Sequence, residues 1–108
     1  MKIGVIRCLQ TEDSCPGTGD FTAAAKGSGA FGTLGSCTIV GFVTCGGCPG
    51  TKAAARARTL VERGAQAVAL ATCITKGSPG GLPCPNREAI LQALREQCGE
   101  VPLLEYTH

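Results

Sequence analysis

Four apolar runs divide the chain, and each has the length of a buried β-strand. They cover residues 2–8, 38–45, 67–73 and 101–108. Hydrophobic residues follow one another along these runs with little alternation, which is typical of strands covered on both faces. Pro102 stands near the start of the last run, where an edge strand tolerates proline. The pattern predicts a small, mainly parallel sheet of about four strands.

Two segments between the runs carry the spacing of amphipathic helices. The first is predicted to have Thr51 as its N-cap and to run to Arg63, with Gly64 as its stop. The second is predicted to start at Asn86 and to end before Gly99. Their apolar stripes are Ala53, Ala57, Leu60 and Val61 in the first helix, and Ile90, Leu91, Leu94 and Cys98 in the second.

The segment between the first two runs, residues 10–36, is rich in glycine. Asp20 is placed to cap a short helix through Lys26, but the glycines beyond it weaken anything longer. We expect a loop that contains a poor helix. Strand, crossover and strand then repeat three times along the chain. This order predicts an α/β three-layer sandwich with Rossmann-like or flavodoxin-like crossovers.

Length, charge and composition narrow the classes of function. The 108 residues fit one domain, and a net charge of +2 with only 4% aromatic residues gives little to bind nucleic acid. The first apolar run is cut short by Arg7, so it is neither a secretory signal nor a membrane span of about 20 apolar residues. We expect a cytoplasmic protein without nucleic-acid or membrane partners, and the oligomeric state is left open.

Eight cysteines are the most unusual feature of the composition. In a reducing compartment lasting disulfides are rare, which disfavours a disulfide-stapled fold. Metal binding and thiol–disulfide exchange remain as uses for these thiols, since a lone C-x-x-C motif fits both.

A soft donor residue ends each of the four apolar runs: Cys8, Cys45, Cys73 and His108. A threonine directly precedes the last three of them. Because the carboxyl ends of parallel strands share one edge, where doubly wound folds have their ligand crevice, we expect these side chains to converge. Cys48 follows one turn after Cys45 and joins them.

Gly46 and Gly47, between Cys45 and Cys48, allow a turn with backbone angles that other residues resist. The helix predicted near Thr51 adds partial positive charge, which favours thiolates over thiols. Because a thiolate is both the metal ligand and the nucleophile, this setting serves both uses.

Four further cysteines fall into two groups. Cys15 and Cys84 lie in loops rich in proline and glycine, after the first and third runs, and these loops are placed to fold over the crevice. For them a ligand and a free loop thiol are equally good interpretations. Cys37 and Cys98 lie away from the carboxyl edge and are predicted to be small buried hydrophobic residues.

Two cations flank the predicted site. Arg7 should point to the face opposite Cys8 and be a solvated charge at the strand end, whereas Lys76 is as well placed to offset thiolate charge as to be solvated. Two glycine motifs do not predict a nucleotide-binding site. Residues 27–32 match the dinucleotide motif G-x-G-x-x-G but precede a strand instead of following one. Residues 50–52 resemble a phosphate-binding loop but lack its Gly-Lys-Ser/Thr order.

Six motifs, spread over essentially the whole chain, carry a family resemblance: "KIGVIRC", "TEDSCPGTGDF", "GAF", "IVGFVTCGGCPGTKA", "ALATCITKG" and "EYTH". Through them the chain resembles the CGGC domain family. The resemblance implies a single domain over residues 1–108 and a metal-binding function, with zinc suggested by recurring cysteine and histidine. Carried over by position, it implies the ligand set Cys8, Cys15, Cys45, Cys48, Cys73, Cys84 and His108.

Because the chain has one histidine, the ligand set that the resemblance implies consists mainly of thiolates. Such a site suits an iron–sulfur cluster as well as zinc. Zinc takes four ligands. Cys45 and Cys48 would supply two of them, and Cys8 with either Cys73 or His108 would supply the others. A cubane cluster would take the four thiolates of Cys8, Cys45, Cys48 and Cys73.

The alternative is a thiol–disulfide oxidoreductase that acts on a redox partner protein. Cys45 would be the attacking thiolate and Cys48 its resolving partner, in a strand, C-x-x-C, helix context. Pro49 and Gly50 argue against it because they delay the helix beyond the second cysteine. The further thiols at other strand ends also have no role in such an exchange.

Overall fold

A computed structural model describes residues 1–76 and 83–108. Within these residues, four parallel strands form one sheet and helices connect them. The strands are β1 (Lys2–Arg7), β2 (Thr38–Thr44), β3 (Ala67–Leu70) and β4 (Leu103–Leu104). The helices are α1 (Thr18–Lys26), α2 (Ala53–Glu62), α3 (Thr72–Thr75) and α4 (Arg87–Cys98), with a 3₁₀ turn at Gly29–Phe31.

The strands lie in the order β2-β1-β3-β4, and every neighbouring pair is parallel. This is the beginning of the flavodoxin-like strand order, so the predicted α/β class is confirmed. β1 and β3 are central and almost fully buried, while β2 and β4 form the edges. Val40 is an extra residue in β2, because Ile3 pairs with Ile39 whereas Gly4 pairs with Gly41.

Helices cover both faces of the sheet. On one face, the ring of Phe42 in β2 packs against Phe21 of α1, with centroids 5.2 Å apart. On the other face, Gly4 and Gly41 leave room for Leu60 of α2: a Cβ on Gly4 would lie 2.9 Å from the Leu60 Cβ. The missing side chains let α2 approach the sheet closely.

The third and fourth strands are shorter than their apolar runs predict. β3 ends at Leu70, and the buried chain continues into the short helix α3, which carries Cys73. β4 has two residues, so His108 lies four residues beyond its strand. The expectation that Cys73 and His108 end strands is wrong, because a buried helical turn or tail is as apolar as a buried strand.

The helices agree better with the sequence. α2 and α4 lie within two residues of their predicted bounds, although the N-cap position of α2 is Lys52 rather than Thr51. α1 is longer than expected: it begins at Thr18, and Asp20 lies in its first turn rather than capping it. In the part of the chain that the structure describes, no helix has the length and apolar character needed to cross a membrane.

Candidate functional site

Sheets with this strand order have their ligand crevice between the carboxyl ends of β1 and β3, where the connections leave the sheet in opposite directions. Cys8 follows β1 directly, and Cys73 lies three residues after β3. The backbone N–H of Cys8 donates to Cys73 Sγ at 3.4 Å. Two predicted ligands from distant parts of the sequence therefore meet at this point.

Cys73 is buried, with 5% of its surface exposed. Burial raises the pKa of its thiol, and the thiols of Cys15 and Cys8 raise it further because their charges would repel a thiolate. The Cys8 N–H, which donates a hydrogen bond to the sulfur, acts in the opposite direction, and so does the nearby Thr11 hydroxyl. In the absence of a cation, Cys73 is therefore a neutral thiol at pH 7.

Cys15 returns to the crevice because the loop after β1 is wound tightly. The carbonyl of Thr11 accepts hydrogen bonds from the backbone N–H groups of Ser14, at 3.1 Å, and Cys15, at 2.8 Å. The Thr11 hydroxyl donates to the carbonyl of Cys8 at 3.3 Å. Cys8, Cys15 and Cys73 thus lie on segments that meet around Thr11, and we call these three residues the thiol cluster.

The C-G-G-C loop lies beside this cluster. The backbone N–H of Cys45 donates to the carbonyl of Arg7 at 2.8 Å, which holds the loop next to the end of β1. Gly46 and Gly47 both have positive φ angles, 86° and 97°, as the sequence predicts. A Cβ on Gly47 would lie 3.4 Å from Leu9, so the loop rests on the residue after Cys8.

The two thiols of this loop differ in access, since Cys45 is buried and Cys48 is exposed. Arg56 of α2 braces the loop by donating to Thr44 Oγ1 at 2.9 Å and to the Thr44 carbonyl at 3.1 Å. α2 begins at Ala53, so its dipole acts on Cys48 from a distance.

Cys84 is held next to α3. Its backbone N–H donates to the carbonyl of Ile74 at 2.8 Å, and its sulfur accepts from the N–H of Asn86 at 3.4 Å. The prediction that the loop before Cys84 folds over the crevice concerns residues 77–82, which lie outside the described residues.

His108 points to α1. Its Nε2 lies 3.8 Å from Asp20 Oδ1, and its backbone N–H donates to Thr72 Oγ1 at 2.9 Å. The main chain of His108 is therefore next to the residue that precedes Cys73, while its imidazole faces a carboxylate. Because that ring has an oxygen partner, the thiol cluster is the better-assembled part of the predicted ligand set.

A buried polar network that the sequence did not reveal links the same region to α1 and the C-terminal segment. Asp20, Thr72 and Thr107 are all buried. Thr107 Oγ1 donates to Asp20 Oδ1, accepts from the N–H of Thr72 at 3.2 Å and lies 3.1 Å from Thr72 Oγ1. Asp20 Oδ2 is buried, and none of the residues that the structure describes is a hydrogen-bond partner for it. In the sequence, the only indication of this network was the presence of a threonine directly before Cys73 and before His108.

Arg7 and Lys76 both have aromatic partners. Arg7 was expected to be solvated but is buried; its guanidinium lies 5.6 Å from the centre of the Phe42 ring and donates to the Cys15 carbonyl. β1 directs this side chain to the α1 face, which the loop after β1 covers. Lys76 Nζ lies 3.8 Å above the ring of Tyr106.

All eight cysteines are free, and Cys37 and Cys98 are buried as predicted. Across residues 1–76 and 83–108, no three or more His, Cys, Asp or Glu side chains are arranged to hold a metal ion. Within the described residues, the thiol cluster is therefore not in the arrangement of an assembled metal site.

Comparison with known proteins places the chain in a family. The chain is 36% identical to an uncharacterized protein of Methanocaldococcus jannaschii over 116 aligned residues, which cover 100% of this chain and 87% of that protein. No solved structure matches the chain. The family model for the CGGC domain matches residues 2–108. The chain therefore belongs to the CGGC domain family.

Proposed function

We propose that this protein binds a thiophilic metal, as zinc or an iron–sulfur cluster, through cysteine thiolates at the β1–β3 crevice. The observation that carries the proposal is the contact between the Cys8 N–H and Cys73 Sγ, with Cys15 close enough to affect the pKa of Cys73. Sulfur is the donor that zinc and iron–sulfur clusters share. The donor set around the crevice fits either.

Within the proposed site, the thiol cluster supplies three ligands. Cys45 is the best candidate for a fourth, because its backbone is bonded to the end of β1 beside Cys8. Cys48, Cys84 and His108 are the remaining candidates from the predicted set, and each lies on a segment next to the same edge. A metal that withdraws electron density would allow Cys73 to lose its proton despite its burial.

Thiol–disulfide exchange by the C-G-G-C pair receives less support. The attacking thiol assigned to it, Cys45, is only 5% exposed. An exchange nucleophile needs both access and a stabilised thiolate. The start of α2 at Ala53 leaves the helix dipole too far from Cys45 and Cys48 to stabilise one strongly. A cytoplasmic location is part of the proposal, because thiolate ligands must stay reduced.

The test is the metal content of protein purified without oxygen, for the wild type and for Cys8→Ser, Cys73→Ser and Cys37→Ser. Cys37 is a matched control, since its exposure of 6% is close to the 5% of Cys73. We expect stoichiometric metal in the wild type and in Cys37→Ser, and a loss of metal in the other two variants. A brown protein absorbing at about 400 nm would identify a cluster, and a colourless zinc protein the single ion.

Two results would contradict the proposal. One is a wild-type protein that contains no metal and takes up neither zinc nor reconstituted iron and sulfide. The other is full metal content in both Cys8→Ser and Cys73→Ser, which would put the site elsewhere.

A further inference from the structure

Arg7 is a buried cation with no buried counter-ion among the described residues. Its side chain is 5% exposed, and the nearest carboxylate is Glu12, whose Oε1 lies 3.8 Å from Nη1. The Glu12 side chain is 60% exposed, so water screens most of its charge. Arginine is almost never fully buried unless it is paired, because removing a charge from water is costly.

The remaining contacts of the guanidinium are neutral. Nη2 donates to the carbonyl of Cys15, and the plane lies over the ring of Phe42. Nε is buried and has no hydrogen-bond partner within residues 1–76 and 83–108. Phe42 in turn packs against Phe21, and a Cβ on Gly17 would lie 2.6 Å from the Phe42 ring. The charge is thus held in place by packing, and no buried anion in the described part of the chain balances it.

Arg7 also touches three segments that carry thiols. Cys8 follows Arg7 directly in the chain. The backbone carbonyl of Arg7 accepts a hydrogen bond from the N–H of Cys45, and the guanidinium of Arg7 donates to the carbonyl of Cys15. Through its main chain and its side chain, Arg7 thus links three segments that carry predicted ligands of the proposed site. Four thiolates around a divalent ion leave a net charge of −2. A group with this charge would balance the guanidinium of Arg7.

We propose that Arg7 is a positioning residue and the counter-charge of the metal site. The guanidinium fixes Cys15 through its carbonyl, and its charge offsets the negative charge that the thiolates retain after binding the metal. This inference rests on the proposed function. It implies that the charge of the Arg7 guanidinium is balanced by the metal–thiolate group when the site contains metal.

The loaded and metal-free states should respond to Arg7→Met in opposite ways. Without metal, replacing a buried unbalanced charge by an apolar side chain is neutral or stabilising. With metal, the variant loses the counter-charge, and the affinity should fall by about 10- to 100-fold, as for other partners of metal ligands. A residue that only supported the fold would lower both the stability of the metal-free protein and the affinity.

The experiment measures zinc affinity by chelator competition and the urea midpoint of metal-free protein, for wild type, Arg7→Met, Arg7→Lys and Arg58→Met. Arg58 is the control: it loses the same charge at an exposed position on α2, where it pairs with Glu100 at 3.6 Å. We expect wild-type affinity in Arg58→Met, the largest loss in Arg7→Met, and partial rescue in Arg7→Lys, which keeps the charge.

The outcomes separate the two proposals. If the wild type binds no metal, the proposed function fails and the role of Arg7 fails with it. If the wild type binds metal and Arg7→Met binds it equally well, only the inference about Arg7 is overturned. Equal losses in Arg7→Lys and Arg7→Met would overturn the counter-charge. A urea midpoint that falls in step with affinity would show that Arg7 only supports the fold.

Discussion

Thr107→Val removes one hydroxyl from the centre of the buried polar network and keeps the branched shape of the side chain. That hydroxyl donates to Asp20 Oδ1 and accepts from the backbone N–H of Thr72 at 3.2 Å. Thr107 is fully buried, and Asp20 is 1% exposed. Water therefore cannot replace the lost partner unless the C-terminal segment moves away from α1.

The expected cost follows from the two groups that lose their hydrogen bond. A buried amide left without a partner costs about 1–3 kcal/mol, and a charged acceptor costs more. The sum is about 3–5 kcal/mol, a large part of the roughly 5–15 kcal/mol that stabilises a typical domain. Thr107→Ser keeps the hydroxyl and loses one methyl group, which should cost about 1 kcal/mol.

Urea unfolding at pH 7, followed by far-ultraviolet circular dichroism, compares the two variants with the wild type. Equal m-values would show that the free energies can be compared directly. We expect Thr107→Val to be the less stable variant by at least about 2 kcal/mol, the difference between the two estimates above. A valine variant as stable as the serine variant would refute the network as a source of stability.

Two further predictions concern packing and titration. Gly4→Ala should cost about 1–3 kcal/mol because its Cβ would lie 2.9 Å from both the Cβ and the Cδ1 of Leu60. Leu60→Ala in the same chain removes Cδ1 but keeps Cβ, so it should offset part of this cost; strictly additive losses would contradict the close approach. Because burial raises the pKa of Cys73 above its ordinary value of 9.0, its neutral thiol stabilises the folded state below about pH 9 and ceases to do so as the pH rises through the folded-state pKa. The unfolding free energy of the metal-free wild type should therefore fall more steeply above pH 9 than that of metal-free Cys73→Ser, and parallel curves would exclude this contribution.

The hydrophobic pattern correctly predicted the strands and helices that keep one secondary structure along a whole hydrophobic segment. β1, β2, α2 and α4 were found within two residues of their predicted bounds, because turn residues interrupt the pattern at their ends. The end of β3 was missed since the chain stays buried from Ala67 through Ile74 while it changes from strand to helix. Hydrophobicity alone does not record that change.

The candidate site was predictable only in part, for a related reason. Strand order brings Cys8 to Cys73, and the sequence contains the alternation of strands and helices that dictates it. The burial of Arg7 and its place against Phe42 depend on how the loop after β1 closes. Thr107 and Asp20 are 87 residues apart, and no local pattern reports a hydrogen bond over such a separation.

The contact between Cys8 and Cys73 joins residues 65 positions apart in the chain. In an unfolded polypeptide these thiols seldom meet, whereas Cys45 and Cys48 are near each other in every conformation, because short loops close at little entropic cost. The motif that names the family is thus the pair of thiols available to a newly made chain before any tertiary structure exists. The thiol cluster appears only once β3 has docked beside β1, so its assembly reports that folding is complete.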